Sequence, residues 1–130
     1  VAAHRGVLLH VDAAQATGKL PIDLSQAPID LLSLSAHKFH GPKGIGCLFV
    51  RDRRHLRLRP LAFGGGQEFG LRPGTAPTHQ IVGLAAALKL VAASRARDLE
   101  HVGLLRAQFL ESLAARVPAR VSRRLIAVHR

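Results

Sequence analysis

Four residues with different polar side chains, each of a type that can bind a ligand or transfer a proton, follow two apolar runs of the sequence. The first run ends in Asp12, and the second is followed directly by a group made of Ser35, His37 and Lys38. Short apolar runs of this kind are typical of buried strands in a parallel sheet. Because ligands in open α/β sheets bind beyond the carboxyl ends of the strands, we expect the four side chains to line one site.

A carboxylate, an amine, a hydroxyl and an imidazole are together the groups that a pyridoxal phosphate (PLP) site needs. The carboxylate of Asp12 could keep the pyridine nitrogen protonated, and the amine of Lys38 could bind the aldehyde. Ser35 and His37 could donate hydrogen bonds to the phosphate. The same residues could equally form a helix cap and a surface lysine, so the residue types alone leave both interpretations open.

Three apolar runs predict the strands that would carry these groups. Residues 7–11 and 29–34 predict two strands, each with polar residues after its end. Residues 45–50 predict a third strand, which begins after the turn-rich residues 41–44. We therefore expect an α/β fold with a mostly parallel sheet.

Long helices are expected after the sheet. From Thr78 the apolar residues recur at helical spacing, and a second helix is predicted after Asp98, ending near Val117. The glycines within residues 64–74 predict a loop between the sheet and the helices, because glycine permits backbone conformations closed to other residues.

Composition limits the class of protein. The chain has 130 residues, of which 48% are hydrophobic, so it can form one packed domain at most. It contains no Met and ends without a capping turn, which indicates a piece of a longer protein. No apolar run approaches the roughly 18 residues of a membrane span, and no leader signal is present, so the expected location is the cytoplasm. The lone Cys47 lies in an apolar run, which predicts a buried structural thiol.

The net charge of +11 raises the possibility of nucleic-acid binding. Residues 51–59 are the densest basic segment and could lie along phosphates. The chain has no Tyr or Trp on which bases could stack, and its other arginines are spread over helix faces. We therefore expect a solvated or partner-facing basic surface. The sequence contains no cluster of Cys and His residues, so no metal site is predicted.

Three motifs resemble, in order and spacing, the cysteine desulfurases of the class V aminotransferase lineage. They are HVDAAQ at residues 10–15, SAHKFHGPKGIG at 35–46, and GGGQE at 64–68 followed by RPGT at 72–75. The stretch THQIVG at residues 78–83 is similar to the branch that serves iron-sulfur cluster assembly. The resemblance extends from about residue 4 to about residue 117.

The resemblance implies a role for each matching residue. Lys38 matches the lysine that forms the internal aldimine and later moves the Cα proton. Asp12 matches the carboxylate paired with the pyridinium nitrogen, and Gln15 matches the donor to the phenolic oxygen of the ring. Two further matches, Ser35 and His37, correspond to phosphate ligands.

Thr75 matches a phosphate ligand that, in this family, comes from the other subunit of a dimer. The resemblance therefore implies a homodimer with shared sites. It also implies L-cysteine as the substrate, L-alanine as a product, and transfer of sulfur through an enzyme persulfide to an iron-sulfur scaffold or another acceptor protein.

Some family features are absent or changed. Cys47 does not match the persulfide-forming cysteine, which in the family follows beyond this stretch, and the arginine that binds the substrate carboxylate is also missing. Ala36, His40 and Phe69 replace residues common in the family, and His10 is expected to pack beneath the site. We expect the isolated chain to be inactive and to bind PLP weakly at best.

The resemblance implies the large domain of a fold type I PLP-dependent transferase, present in part. Residues 1–117 would be the C-terminal part of this domain, and residues 118–130 a truncated lead into the small C-terminal domain. The expected activity of the intact protein is that of a cysteine desulfurase. Another class V PLP enzyme, such as a selenocysteine lyase or an aminotransferase, remains an alternative, as does an inactive basic scaffold or nucleic-acid-binding module.

Overall fold

A computed structural model of the chain describes residues 2–117. Its strands and its α-helix are β1 (His10–Asp12), β2 (Leu31–Ser35), β3 (Gly46–Val50) and α1 (Thr78–Arg116). Three 3-10 helices span Ala3–Arg5, Ala36–Phe39 and Gln67–Gly70. The chain divides into two compact units at Ala93 and Ser94. The expected lead into a small domain at residues 118–130 lies outside the described residues.

The three strands form one sheet in the order β1-β2-β3. β1 and β2 are parallel, with Asp12 opposite Ser33, whereas β2 and β3 are antiparallel, with Ser35 opposite Gly46. The α/β fold is confirmed, but the sheet is mixed rather than mostly parallel. The short connection of residues 36–45 explains the difference, because a parallel crossover requires a dozen or more residues.

The core of the first unit lies between the sheet, the 3-10 helix at Ala36–Phe39 and the first part of α1. Phe39 is its largest buried side chain, at 2% exposure, and packs with Ala36 and Ala87. Partly buried hydrophobic residues surround this cluster: Leu34, Ile45, Leu84, Leu88 and Val91. The core thus holds both ends of the short helix that contains Lys38.

The two helices expected after Thr78 are one continuous helix of 39 residues, α1. No break occurs at residues 95–98, where the boundary between the two helices was expected. This segment contains neither Gly nor Pro, and its alanine and arginines are strong helix formers. Ser94 also donates a hydrogen bond from Oγ to Asp98 Oδ2, 2.6 Å away and one turn further along the helix. The boundary between two helices was therefore wrong.

Two residues of the basic segment at residues 51–59, Arg51 and His55, use their side chains in contacts within the chain. Arg51 donates from Nε to the carbonyl of Ile29 at 2.7 Å and from Nη2 to the carbonyls of two loop residues, Leu24 and Ala27. His55 pairs with Asp52 at 2.6 Å. These contacts tie the loop before β2 to the end of β3 and leave fewer basic groups of this segment free to bind phosphates.

Within residues 2–117, no helix combines the length and the apolar character that a bilayer span requires.

Candidate functional site

Ser35, His37 and Lys38 lie together where β2 ends. Ser35 keeps an extended backbone, with φ −133° and ψ 122°, and the chain then enters the 3-10 helix Ala36–Phe39. Ala36 and Phe39 are buried, whereas His37 and Lys38 are exposed. The short helix therefore presents the imidazole and the amine to solvent, because its two end residues are held in the core. The Ser35 Oγ and His37 Nδ1 atoms are 3.0 Å apart and form a hydrogen bond.

A tight turn closes this short helix. His40 adopts the left-handed conformation with φ 67°, and the N–H of Gly41 donates to the carbonyl of Ala36 at 2.9 Å. A Cβ atom at Gly41 would lie 2.9 Å from the Ala36 Cβ and 3.0 Å from its carbonyl oxygen. Because Ala36 is fully buried, it cannot move away without disturbing the core.

We expect the substitution Gly41→Ala to lower the free energy of unfolding of the full-length protein by about 1–3 kcal/mol, as overpacking at a tight contact does. Here "full-length protein" means this chain with any sequence that flanks it in its gene. Urea denaturation measures the change. Gly66→Ala is the matched control, because a Cβ there meets no atom within 4 Å and the φ of Gly66 is −76°. Equal effects of the two substitutions would contradict the prediction.

Asp12 is the last residue of β1, and Gln15 follows it three positions later. The Asp12 Oδ1 atom accepts a hydrogen bond from the Ala14 N–H at 2.9 Å, so one carboxylate oxygen stabilises the turn after the strand. The Gln15 Oε1 atom accepts from the Lys19 Nζ at 3.1 Å, which leaves the Gln15 amide group as a donor. Both Asp12 and Gln15 are exposed.

The parallel pairing of β1 and β2 brings these two groups to the same edge of the sheet. Asp12 is opposite Ser33, two residues before Ser35, and the Ala13 N–H donates to the Ser33 carbonyl at 2.8 Å. The carboxylate of Asp12 and the group that ends in Lys38 therefore follow the carboxyl ends of neighbouring strands. Ligands of open α/β sheets bind at such an edge.

Thr75 is distant in the sequence from the residues of this sheet edge, and it follows the glycine-rich loop of residues 64–74. It is exposed, and its hydroxyl makes no hydrogen bond within residues 2–117. Its carbonyl accepts from the Arg72 Nη1 at 3.3 Å. No hydrogen bond in the described part of the chain joins Thr75 to Lys38 or to Asp12.

His10 and Ser33 form a contact that sequence reasoning missed. The His10 Nε2 and Ser33 Oγ atoms are 3.2 Å apart across β1 and β2. His10 is exposed, whereas we expected it to pack beneath the site. The sequence contains a partial signal for the contact, because Ser33 interrupts an apolar run at a position that shares a sheet face with its partner.

Cys47 is exposed, so the prediction of a buried thiol was wrong. The error arises because, within residues 2–117, β3 lies at the edge of the sheet and pairs with β2 alone. The pKa of the Cys47 thiol is nevertheless raised, first by partial desolvation and second by the negative charge of Glu68. A raised pKa reduces the thiolate fraction, which is the reactive form of cysteine.

Among residues 2–117, no three His, Cys, Asp or Glu side chains lie close enough together to hold a metal ion. The polar groups at the sheet edge are instead an amine, a carboxylate, an amide, a hydroxyl and an imidazole. This set suits an organic phosphate that carries an aldehyde and a basic ring nitrogen.

Comparison with known sequences finds close relatives. The sequence model of the aminotransferase class-V family matches residues 1–124. Cysteine desulfurase IscS of Methylococcus capsulatus is 53% identical over 109 residues, which cover 84% of this chain and 27% of that protein. Cysteine desulfurase IscS of a Shewanella species is 52% identical over 102 residues, covering 78% of this chain and 25% of that protein.

Solved structures show the same similarity. A NifS-like protein superposes with a TM-score of 0.78 at 42% identity, covering 84% of this chain and 29% of that one. DndA from Streptomyces lividans superposes with a TM-score of 0.76 at 47% identity, covering 83% of this chain and 31% of that one. The chain spans about a quarter of the length of the curated relatives it matches. By its sequence and its fold, the chain belongs to the aminotransferase class-V family.

Proposed function

We propose that the full-length protein is a PLP-dependent cysteine desulfurase, which converts L-cysteine to L-alanine and passes the sulfur into iron-sulfur cluster assembly. One observation carries the proposal: the exposed amine of Lys38 follows the Ser35–His37 pair at the same sheet edge as Asp12. About half of the residues are identical to those of relatives named cysteine desulfurase IscS, which supports this activity over others of the family.

The side chains at the sheet edge fit PLP. The amine of Lys38 would hold the aldehyde carbon, and the free Asp12 Oδ2 would face the protonated ring nitrogen. The hydroxyl of Ser35 and the imidazole of His37 would donate to the phosphate, and the amide of Gln15 would donate to the phenolic oxygen. When bound, PLP withdraws electrons from the Cα atom of an amino acid and weakens the bonds around it.

Lys38 would also act as the base of the reaction. The amine of Lys38 would accept the Cα proton of the substrate. Its neighbours in the chain support this role, because Ala36 and Phe39 anchor the 3-10 helix while His37 and Lys38 remain accessible. Core packing thus holds the backbone from which the Lys38 side chain extends.

Sulfur transfer requires a thiolate nucleophile, and we infer that Cys47 does not supply it. Its raised pKa disfavours the thiolate, and its place within β3 restricts its motion. The persulfide-forming cysteine and the arginine for the substrate carboxylate would lie in flanking sequence. An iron-sulfur scaffold or another protein would then accept the sulfur, in the reducing environment of the cytoplasm.

A homodimer is part of the proposal. The hydroxyl of Thr75 is exposed and makes no hydrogen bond within the described residues, so it is available to a phosphate held by a second subunit. In such an arrangement each site would combine Lys38 of one subunit with Thr75 of the other.

Reductive labelling tests the assignment. The full-length protein is incubated with PLP, reduced with borohydride, digested and analysed by mass spectrometry. We expect the pyridoxyl group on Lys38 and release of alanine from L-cysteine. Lys43 is the internal control, because it lies five residues further along the chain and is also exposed. A label on Lys43, or no label, would refute the proposal, and release of alanine from L-selenocysteine alone would indicate a selenocysteine lyase.

A further inference from the structure

The loop before Thr75 contains three successive residues in the left-handed backbone region. The φ angles are 49° at Glu68, 60° at Phe69 and 81° at Gly70. Glycine adopts this region without a penalty, but Glu and Phe do not, because the Cβ atom approaches the backbone too closely. A conformation of this kind persists only where surrounding contacts hold it.

Burial does not hold Phe69 in place, since 74% of its surface is exposed. The ring instead packs against the guanidinium of Arg53, whose Cζ atom lies 3.7 Å from the ring centroid. A cation over the face of an aromatic ring is attracted to its negative face, and the planar guanidinium stacks well on it. Arg53 therefore contributes a stabilising contact to the strained segment from outside the loop.

Arg53 itself projects from a well-fixed turn after β3. The Asp52 Oδ1 atom accepts hydrogen bonds from the backbone N–H groups of Arg54 and His55, at 3.0 and 3.1 Å. The N–H of Leu56 donates to the Asp52 carbonyl at 2.9 Å. These hydrogen bonds fix the turn of residues 52–56, in which Arg53 lies.

Hydrogen bonds within the loop connect the strained segment to Thr75. The Gln67 Oε1 atom accepts from the Gly74 N–H at 3.1 Å. The Arg72 Nη1 atom donates to the carbonyl of Gly74 at 2.9 Å and to that of Thr75 at 3.3 Å. A displacement at Phe69 would therefore reach Gly74, the residue next to Thr75, through Gln67 and the hydrogen bond that Gln67 accepts from Gly74.

We propose that Arg53 is a positioning residue for PLP binding, which acts by stacking on Phe69 and so holds the loop that presents Thr75. This inference rests on the proposed function, because Thr75 is assigned there to the cofactor phosphate. Without the stack, the loop spends less time in its binding position, and the apparent affinity for PLP falls in proportion to that fraction.

Cofactor titration of the full-length apoprotein tests the inference. We expect Arg53→Gln and Phe69→Leu each to weaken PLP binding by about 3- to 20-fold, which corresponds to the loss of one partly exposed cation–π contact. The double variant should be no weaker than the worse single variant, because both changes break the same contact. Phe69→Tyr keeps the ring and should retain the affinity, and Arg54→Gln is the control on the neighbouring arginine.

Hydrogen exchange of the amides in residues 66–76 separates positioning from general stability. We expect faster exchange there in Arg53→Gln than in Arg54→Gln, with an unchanged melting temperature and unchanged exchange in β2. Unchanged PLP affinity in Arg53→Gln would overturn the inference, and so would a loss of affinity that accompanies faster exchange throughout the sheet. If borohydride labels Lys38 in all variants at saturating PLP, the result supports the proposed function, whether or not Arg53 is a positioning residue. If borohydride does not label Lys38 in the unaltered protein, the result contradicts both the proposed function and the role of Arg53.

Discussion

Replacing Lys38 by alanine is expected to reduce the release of alanine from L-cysteine by about a thousandfold in the full-length protein, the scale of a lost proton-transfer group. The substitution removes the amine that would hold the cofactor and take the Cα proton. It leaves the core intact, because the side chain of Lys38 is exposed. The visible absorption of bound PLP should shift, and borohydride should no longer fix the cofactor to this position.

Lys43→Ala is the matched control for Lys38→Ala. The side chain of Lys43 is exposed, and the hydrogen bond made by this residue uses its backbone carbonyl, which accepts from the Gln80 Nε2 at 3.1 Å. We therefore expect activity within about twofold of the unaltered protein, in line with the small effects of surface substitutions. Activity of Lys38→Ala above a tenth of the original would show that another group performs the proton transfer.

Replacing Phe39 by alanine is expected to lower the free energy of unfolding by about 3–5 kcal/mol, the usual cost of removing a buried aromatic ring. Phe39 is 2% exposed and is the largest side chain of the core cluster. Its loss would leave a cavity beneath the short helix that carries His37 and Lys38. Affinity for PLP should therefore fall together with stability, although Phe39 would not touch the cofactor.

Phe39→Leu is the control for Phe39→Ala, because it removes the aromatic ring but keeps a large apolar side chain at the same position. Leucine keeps much of the apolar volume, so the expected cost is about 1.5 kcal/mol or less. Urea denaturation of the full-length protein, with the midpoint and slope measured for each variant, gives the two free energies. An alanine variant no less stable than the leucine variant would show that the packing around Phe39 does not anchor the site.

The placement of the candidate site could be predicted from local patterns. Asp12 and the group from Ser35 to Lys38 follow apolar runs that both became strands, and the parallel pairing brings the two ends to one edge. Strand ends are local properties of the sequence, since apolar runs and the polar residues that follow them are visible without the fold. The resemblance to a family then supplied roles that the residue types alone left open.

The exposure of Cys47 could not be predicted in the same way. An apolar run indicates a strand, but it does not indicate whether that strand has one neighbour or two, and here β3 is at the edge. The break expected after residue 94 failed for a related reason. A change in the apolar pattern does not end a helix unless the backbone also meets a Gly, a Pro or a cap, and residues 95–98 contain no Gly or Pro.

Neighbours in the chain were enough to predict the three strands, the polar residues at the ends of β1 and β2 and the motif around Lys38. The contact between His10 and Ser33 and the stack of Arg53 on Phe69 depend instead on the tertiary structure. They join residues 23 and 16 positions apart, respectively. Such contacts depend on how the chain returns on itself, and no local pattern encodes that.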